Sequence, residues 1–424
     1  MRGLAVGGAG VGEVVSQLDG GRELLGITAF VPRTAPGERV RARVLETKPR
    51  FLKGELLEVE TAAEDRVDAP CPHYGQCGGC ELQHIGYDTQ LKLKYEMICG
   101  MLAAYKLPSR VMQAVLPLVP SPPFGYRRRV VLHVDAQGKV GFYREGTRSV
   151  VPITSCAIAT SEISAAISKL PEITRKLKGC ISSIVLEEDM LGVVAVFKSP
   201  YDLGPGEKRE VLESAKDVFQ NVVLVSDNRE IGGFGRQLLE LPLNHGKTLS
   251  LQIPPALFTQ VNWEINLELI DCVVRKSEAY KQNIIYDLYA GGGNFTLPLA
   301  KAGAQVVSVE AEKRLTYFAR ESAEKHAISK RIEFVDSSVE RFLDKDTRKH
   351  SASTVVADPP RNGLGALCER LDFAKRLILI SCHLPSFVRD VKSLTARGWE
   401  VTTIQPFDMF PQTSYVEVMT VMEK

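Results

Sequence analysis

Three cysteines stand within ten residues of one another, Cys71-x5-Cys77-x2-Cys80, in a stretch broken by Pro72, Gly75, Gly78 and Gly79. This spacing places three thiols on one tight loop, a pattern that suits a metal centre. The chain has nine cysteines and no export signal at its N-terminus, so a disulfide framework is not expected. A fourth ligand has to come from elsewhere, and Cys156 in Ile153-Thr154-Ser155-Cys156 is the best candidate. Spacing leaves two occupants open, an iron–sulfur cluster and a zinc ion whose fourth ligand is Cys156 or His73.

Two more residues have chemistry of a different kind. Cys382 ends a predicted strand over 377–381, where a thiolate can act as a nucleophile. Taken alone, an inert buried thiol is the better reading. Glu417 interrupts an otherwise apolar run over 415–422. Partial burial there would raise its pKa and make it a better proton acceptor; the alternative is an exposed acid on an edge strand.

Such residues need a frame, and the C-terminal part of the chain reads as one. Residues 285–295, Ile-Tyr-Asp-Leu-Tyr-Ala-Gly-Gly-Gly-Asn-Phe, form a strand, a glycine turn and the start of a helix. Glycine lets a ligand approach the backbone closely. Helices are predicted over 297–302 and 313–326, and strands over 306–310, 332–335, 354–357 and 377–381. That alternation predicts a doubly wound, Rossmann-like parallel sheet. Glu310, Asp336 and Asp358 fall at or just beyond strand ends, so with the glycine turn they converge on the crevice where such sheets bind ligands. The loop lacks both the P-loop Lys-Ser/Thr and the G-x-G-x-x-G spacing, which favours an adenosine-type cofactor without a diphosphate.

At 424 residues, two or three domains are expected. Residues 1–62 read as a small β-barrel of the oligonucleotide-binding kind, 63–250 as an α+β central domain containing the cysteine loop and a helix over 87–104, and 251–424 as the cofactor-binding domain. Hydrophobic residues make up 44% and charged residues 25%, a globular composition. No apolar run is long enough for a membrane span, so no membrane association and a cytoplasmic location are the default expectations. The net charge of +2 says little, but Arg39, Arg41, Arg43, Lys48, Arg50 and Lys53 crowd one segment in which Glu46 is the only acid. Arg127, Arg128 and Arg129, with Arg144 and Arg148 downstream, form a second cluster. Both can neutralise phosphates or simply form solvated strand faces.

Asp358-Pro359-Pro360-Arg361, Ile380-Ser381-Cys382, Asp408-Met409-Phe410-Pro411-Gln412-Thr413 and Tyr415-Val416-Glu417, in this order, resemble the bacterial RNA 5-methyluridine methyltransferases. Phe258-Thr259-Gln260-Val261-Asn262 resembles that family's upstream cofactor motif, and Gly7-Gly8-Ala9-Gly10-Val11-Gly12 and Pro36-Gly37-Glu38-Arg39-Val40 resemble its TRAM barrel. The resemblance implies S-adenosylmethionine as cofactor, Cys382 as the nucleophile on uracil carbon 6 and Glu417 as the base. It implies Gln260, Tyr289, Asn294, Glu310 and Asp336 as cofactor-binding positions, with Asp358 near both cofactor and target base. Within the iron–sulfur branch, Cys71, Cys77, Cys80 and Cys156 would hold a [4Fe–4S] cluster. That branch favours structured 23S ribosomal RNA over transfer RNA as partner, bound by a monomer. A catalytically idle RNA-binding protein and a cytosine-C5 methyltransferase are the competing readings. His383-Leu384-Pro385 stands where the family has Asn-Pro after the cysteine, and Tyr415 stands where it commonly has His.

Overall fold

The computed structural model describes residues 1–16, 24–227, 229–281, 283–346 and 352–424; part of the glycine-rich N-terminal stretch lies outside them. The first unit is a five-stranded sheet of β1 (Gly3–Leu4), β2 (Ala9–Glu13), β3 (Thr28–Pro32), β4 (Arg39–Thr47) and β5 (Phe51–Thr61). Its strand order is β1-β2-β3-β5-β4. Alternation along β3 buries Ala29 and Val31 against Leu52 of β5. The arginines of β4 do not form a positive face. Arg39, Arg41 and Arg43 pair with Glu55, Glu58 and Glu60 on β5, and Lys48 and Lys53 pair with Glu46. Antiparallel pairing supplies acids that a count along one strand misses, and the segment is the solvated strand face.

The cysteine loop leads into α1 (Tyr87–Ala104) and α2 (Ser109–Gln113). Ile98, Leu102, Leu107 and Val111 of this region pack with the C-terminal sheet, around Trp399 and Val418, and not with the central unit that the sequence groups them with. Helical periodicity locates the stripe but not the surface it covers.

The central seven-stranded sheet has the order β12-β11-β10-β9-β6-β7-β8. Its strands are β6 (Arg129–Val134), β7 (Val140–Tyr143), β8 (Val150–Pro152), β9 (Ser183–Asp189), β10 (Gly192–Ser199), β11 (Val222–Ser226) and β12 (Arg229–Phe234). Helices α3 (Ser161–Lys176) and α4 (Pro205–Ala215) bury Ile163, Ile167, Leu170 and Val211 in the same core as Leu132, Ile184 and Phe197. A two-stranded ribbon, β13 (Leu239–Pro242) and β14 (Ser250–Ile253), leads on to the third unit.

That unit comprises α5 (Trp263–Lys276), β15 (Ile284–Leu288), α6 (Thr296–Ala302), β16 (Gln305–Glu310), α7 (Lys313–Lys325), β17 (Ile332–Asp336), α8 (Val339–Lys345), β18 (Thr354–Ala357), β19 (Arg376–Ser381), α9 (Leu384–Ala396), β20 (Glu400–Phe407) and β21 (Glu417–Glu423). The sheet runs β17-β16-β15-β18-β19-β21-β20. The first five strands are parallel, as the βα alternation predicts, but β21 inserts antiparallel between β19 and β20. Strands β15, β18 and β19 are nearly continuous apolar runs because helices cover both faces. No helix among the described residues is long and apolar enough to cross a membrane.

Candidate active site

The glycine turn follows β15 at the point where the strand order reverses. Tyr289 takes φ +62° and Gly291 φ +57°, so the chain turns sharply out of the strand. A side chain at Gly291 would meet nothing within 4 Å, whereas one at Gly292 would sit 3.0 Å from Ile253. One glycine thus keeps the crevice open and the next permits packing on β14. Glu310, at the end of β16, accepts from Gly291 N at 2.9 Å and from Glu312 N at 2.8 Å. Asp336 lies beside it in register on β17 and is exposed. Asp358 follows β18, with its backbone N 3.4 Å from Leu288 O.

Asn294 is held by an amide partner on α5. It forms a reciprocal amide pair with Asn266 of α5, 2.9 Å in each direction, and Asn266 is fully buried. Beneath the turn lies Asp287, also fully buried, which accepts a 2.5 Å hydrogen bond from Thr296. Burial raises its pKa to about 7. Neither pairing is visible from spacing, although an Asp inside an apolar strand is itself a signal.

The segment containing Gln260 is fixed from the central sheet. Buried Glu187 of β9 accepts from Ala256 N and, at 3.3 Å, from Thr259 Oγ1. Arg129 of β6 pairs with Glu187 at 3.2 Å and donates to Ala256 O at 3.3 Å. Arg128 N donates to Val261 O at 2.9 Å. Gln260 is half-buried just before α5, and Phe258 beside it is 69% exposed. The sequence left Arg128 and Arg129 open between a phosphate patch and a solvated strand face; Glu188 and Glu187 engage them.

Cys382 and Glu417 meet through strand register. Ser381 of β19 pairs with Val418 of β21, so Cys382 and Glu417 are each one residue beyond that pair, at the same end of the sheet. Burial, then the charges of Glu417 and Asp358, push the Cys382 thiol up to about 11 against the opposing charge of Arg361. These groups favour the neutral thiol over the thiolate that a nucleophile needs. Glu417 is 2% exposed, and burial first, then the charge of Asp358, holds its carboxyl well above the ordinary range. Burial also raises Asp358 to about 7. Arg361 stacks over the Tyr415 ring at 5.5 Å. His383 precedes α9 and its Nδ1 is 3.0 Å from Ser386 Oγ, whose hydroxyl donates to His383 O at 2.9 Å; the histidine is engaged in the helix start.

Cys71, Cys77, Cys80 and Cys156 line a single cavity of about 240 Å³, together with His73, Arg127, Val131, Phe142 and Ile153. Burial raises the thiols of Cys77, Cys80 and Cys156, that of Cys80 to about 12. Among the described residues, no three His, Cys, Asp or Glu side chains converge closely enough to hold one metal ion. The four thiols line the void. Exposed Arg144 and Arg148 lie on the adjoining β7–β8 turn, where Gly78 N donates to Tyr143 O at 3.0 Å.

A parallel sheet with one inserted antiparallel strand, a glycine turn after its first strand and an acid closing the second is the fold of the S-adenosylmethionine-dependent methyltransferases. Residues 234–424 match the family model described as tRNA (Uracil-5-)-methyltransferase, and 7–57 match the TRAM domain. A Shewanella amazonensis protein named 23S rRNA (uracil(1939)-C(5))-methyltransferase RlmD is 30% identical over 407 residues, covering 94% of this chain and 91% of that protein. The protein of the same name from Shewanella woodyi is 29% identical over 411 residues, with the same coverage. The crystal structure of Pyrococcus abyssi tRNA (uracil-54, C5)-methyltransferase in complex with S-adenosyl-L-homocysteine superposes with a TM-score of 0.74 at 24% identity, over 94% of this chain and 97% of that one. The chain belongs to the RNA (uracil-C5-)-methyltransferase family.

Proposed function

We propose that this chain, acting as a monomer, methylates carbon 5 of a uridine in structured RNA, with 23S ribosomal RNA as its substrate class. The observation that carries the proposal is the pairing of Ser381 with Val418, which brings Cys382 and Glu417 to one end of the sheet beside Asp358. Carbon 5 of uracil is a weak nucleophile. Addition of the Cys382 sulfur to carbon 6 makes it electron-rich, with the electron pair delocalised onto the ring carbonyl. When bound, S-adenosylmethionine supplies the methyl group that carbon 5 takes up. Glu417 then removes the proton from carbon 5, and the bond between Cys382 and carbon 6 breaks to restore the ring. A carboxylate made more basic by burial is suited to that step. Asp358, whose charge acts on the thiol, would take the Cys382 proton, which leaves the Glu417 carboxylate free to take the one from carbon 5.

Glu310, Asp336, Gln260, Tyr289 and Asp358 are the residues we assign to the cofactor. The open space above Gly291 and the acid bonded to its amide fit the ribose end of an adenosyl group. Asn294 would act through its pairing with Asn266. For the cysteines we infer a [4Fe–4S] cluster held by Cys71, Cys77, Cys80 and Cys156. Half-buried thiols arranged around a void suit a multi-atom cluster better than a single zinc ion, and nearby Arg127 would offset its negative charge.

Transfer of labelled methyl to total RNA from a strain lacking the gene, followed by mapping, tests the substrate. Label in a 23S uridine is expected, and label confined to transfer RNA or to cytosine overturns that assignment. Cys382→Ala should lose methyl transfer and keep RNA binding; retained turnover removes the nucleophile. Iron and sulfide assays after anaerobic purification test the cluster, and stoichiometric zinc overturns it.

A further inference from the structure

Cys80 is followed by Glu81 and Leu82, and these two residues grip the segment that leads to Glu417. Glu81 N and Leu82 N both donate to Gln412 O, at 2.8 and 3.0 Å. Glu81 Oε2 accepts from Ser414 N at 2.8 Å. From α1, Gln90 exchanges two hydrogen bonds with Gln412, donating to Oε1 at 3.0 Å and accepting from its backbone N at 3.2 Å. Gln412 has φ +67°, a left-handed conformation that is costly for a residue with a side chain and persists only where neighbours impose it. Gln412, Thr413, Ser414, Val416 and Glu417 are all buried. The N-terminal sheet closes over the same point: Gly7 N donates to Ser414 Oγ at 3.0 Å, and a side chain at Gly8 would fall 2.6 Å from Glu81.

Cys382 directly follows β19, and none of these bonds reaches it. The two halves of the proposed reaction therefore rest on different supports. We propose that the cysteine loop, through Glu81 as a positioning residue, clamps residues 408–416 so as to place Glu417, and thereby governs removal of the carbon 5 proton without governing addition of Cys382. The inference rests on the roles proposed above for Cys382 and Glu417. It gives whatever Cys71, Cys77, Cys80 and Cys156 hold a function in the chemistry at a distance, since the loop that carries those thiols also carries the clamp.

The test compares Glu81→Ala with Glu81→Gln in the full-length metal-loaded protein; glutamine keeps an oxygen for Ser414 N–H. Amide hydrogen exchange over residues 409–416 should be at least about fivefold faster in Glu81→Ala and close to wild type in Glu81→Gln. In a single turnover on 23S RNA, Glu81→Ala should accumulate a methylated, denaturant-resistant protein–RNA adduct, while Glu81→Gln releases product. On RNA containing 5-fluorouridine, where carbon 5 has no proton to lose, Glu81→Ala should form its adduct at the wild-type rate. Equal loss of adduct formation and release in a folded Glu81→Ala protein overturns the clamp, as does unchanged exchange. Failure of the wild type to form any adduct on the fluorinated RNA instead sinks the nucleophile assignment, and the clamp with it. If Glu81→Ala does not fold, Gln90→Met loosens Gln412 from the helix side, and the same partition is expected.

Discussion

Replacing Lys94 by Met probes the base of the segment that leads to Glu417. Lys94 and Asp408 form an ion pair at 2.6 Å, with both side chains 0% exposed. The ammonium also donates to Phe410 O at 3.1 Å, and Tyr87 OH donates to the second carboxylate oxygen of Asp408 at 2.8 Å. Burial lowers the Lys94 pKa against the pull of Asp408, so the lysine is present for pairing and not for its own solvation. Methionine fills similar volume but strands a carboxylate in the core. Breaking such a pair from one side costs about 3–5 kcal/mol. Tyr87 remains on Asp408, which argues for the lower end, and the lost donor to Phe410 O adds back about 1 kcal/mol. A loss of about 4 kcal/mol is expected in urea unfolding followed by tryptophan fluorescence. Trp399 is a suitable reporter, being fully buried in the core that α1 joins. The double variant Lys94→Met/Asp408→Asn removes both charges and should recover about half of the loss. A cost under about 1 kcal/mol, or a double variant no more stable than the single, refutes the reasoning.

Glu417→Gln should trap the methylated covalent adduct and slow product release by at least about a hundredfold, measured by denaturing gel and quenched flow. Asp287→Asn should alter the pH dependence of stability. The folded-state pKa of Asp287 is raised from 3.8 to about 7, so its contribution is present below about pH 4 and lost as pH rises toward 7. The variant should therefore melt higher than wild type at pH 8, with the difference shrinking toward pH 4; a gap that widens on acidification contradicts the burial argument. Tyr415→Ala frees Arg361 from its ring. Because Arg361 opposes the upward shift of the Cys382 thiol, thiol alkylation at fixed pH should slow severalfold, and unchanged alkylation would show that the stack is not needed.

Much of the C-terminal sheet was legible because its strands are apolar runs punctuated by turns, and those signals are local. The strand predicted over 354–357 is Thr354–Ala357, and the helix over 87–104 is Tyr87–Ala104. The motif positions of Cys382 and Glu417 were legible too, but not why they meet, since that depends on β21 inserting against β19. Partners brought in from distant segments were invisible. Asn266 takes the amide of Asn294, Glu187 engages Arg129, and the β5 glutamates neutralise β4. The raised thiol of Cys382 was not legible for the same reason, because burial is a property of the assembled core.

The grip of Glu187 on Ala256 and Thr259 also bears on how RNA gets in. The stretch holding Gln260 is anchored to the central sheet, while the glycine turn belongs to the C-terminal one. Hinging these two bodies apart would carry Gln260 with the central sheet, away from the glycine turn that is the floor of the proposed adenosyl site. Entry by a gaping motion is therefore disfavoured. On the function proposed above, the RNA would supply the movement, presenting an unstacked nucleotide to the site.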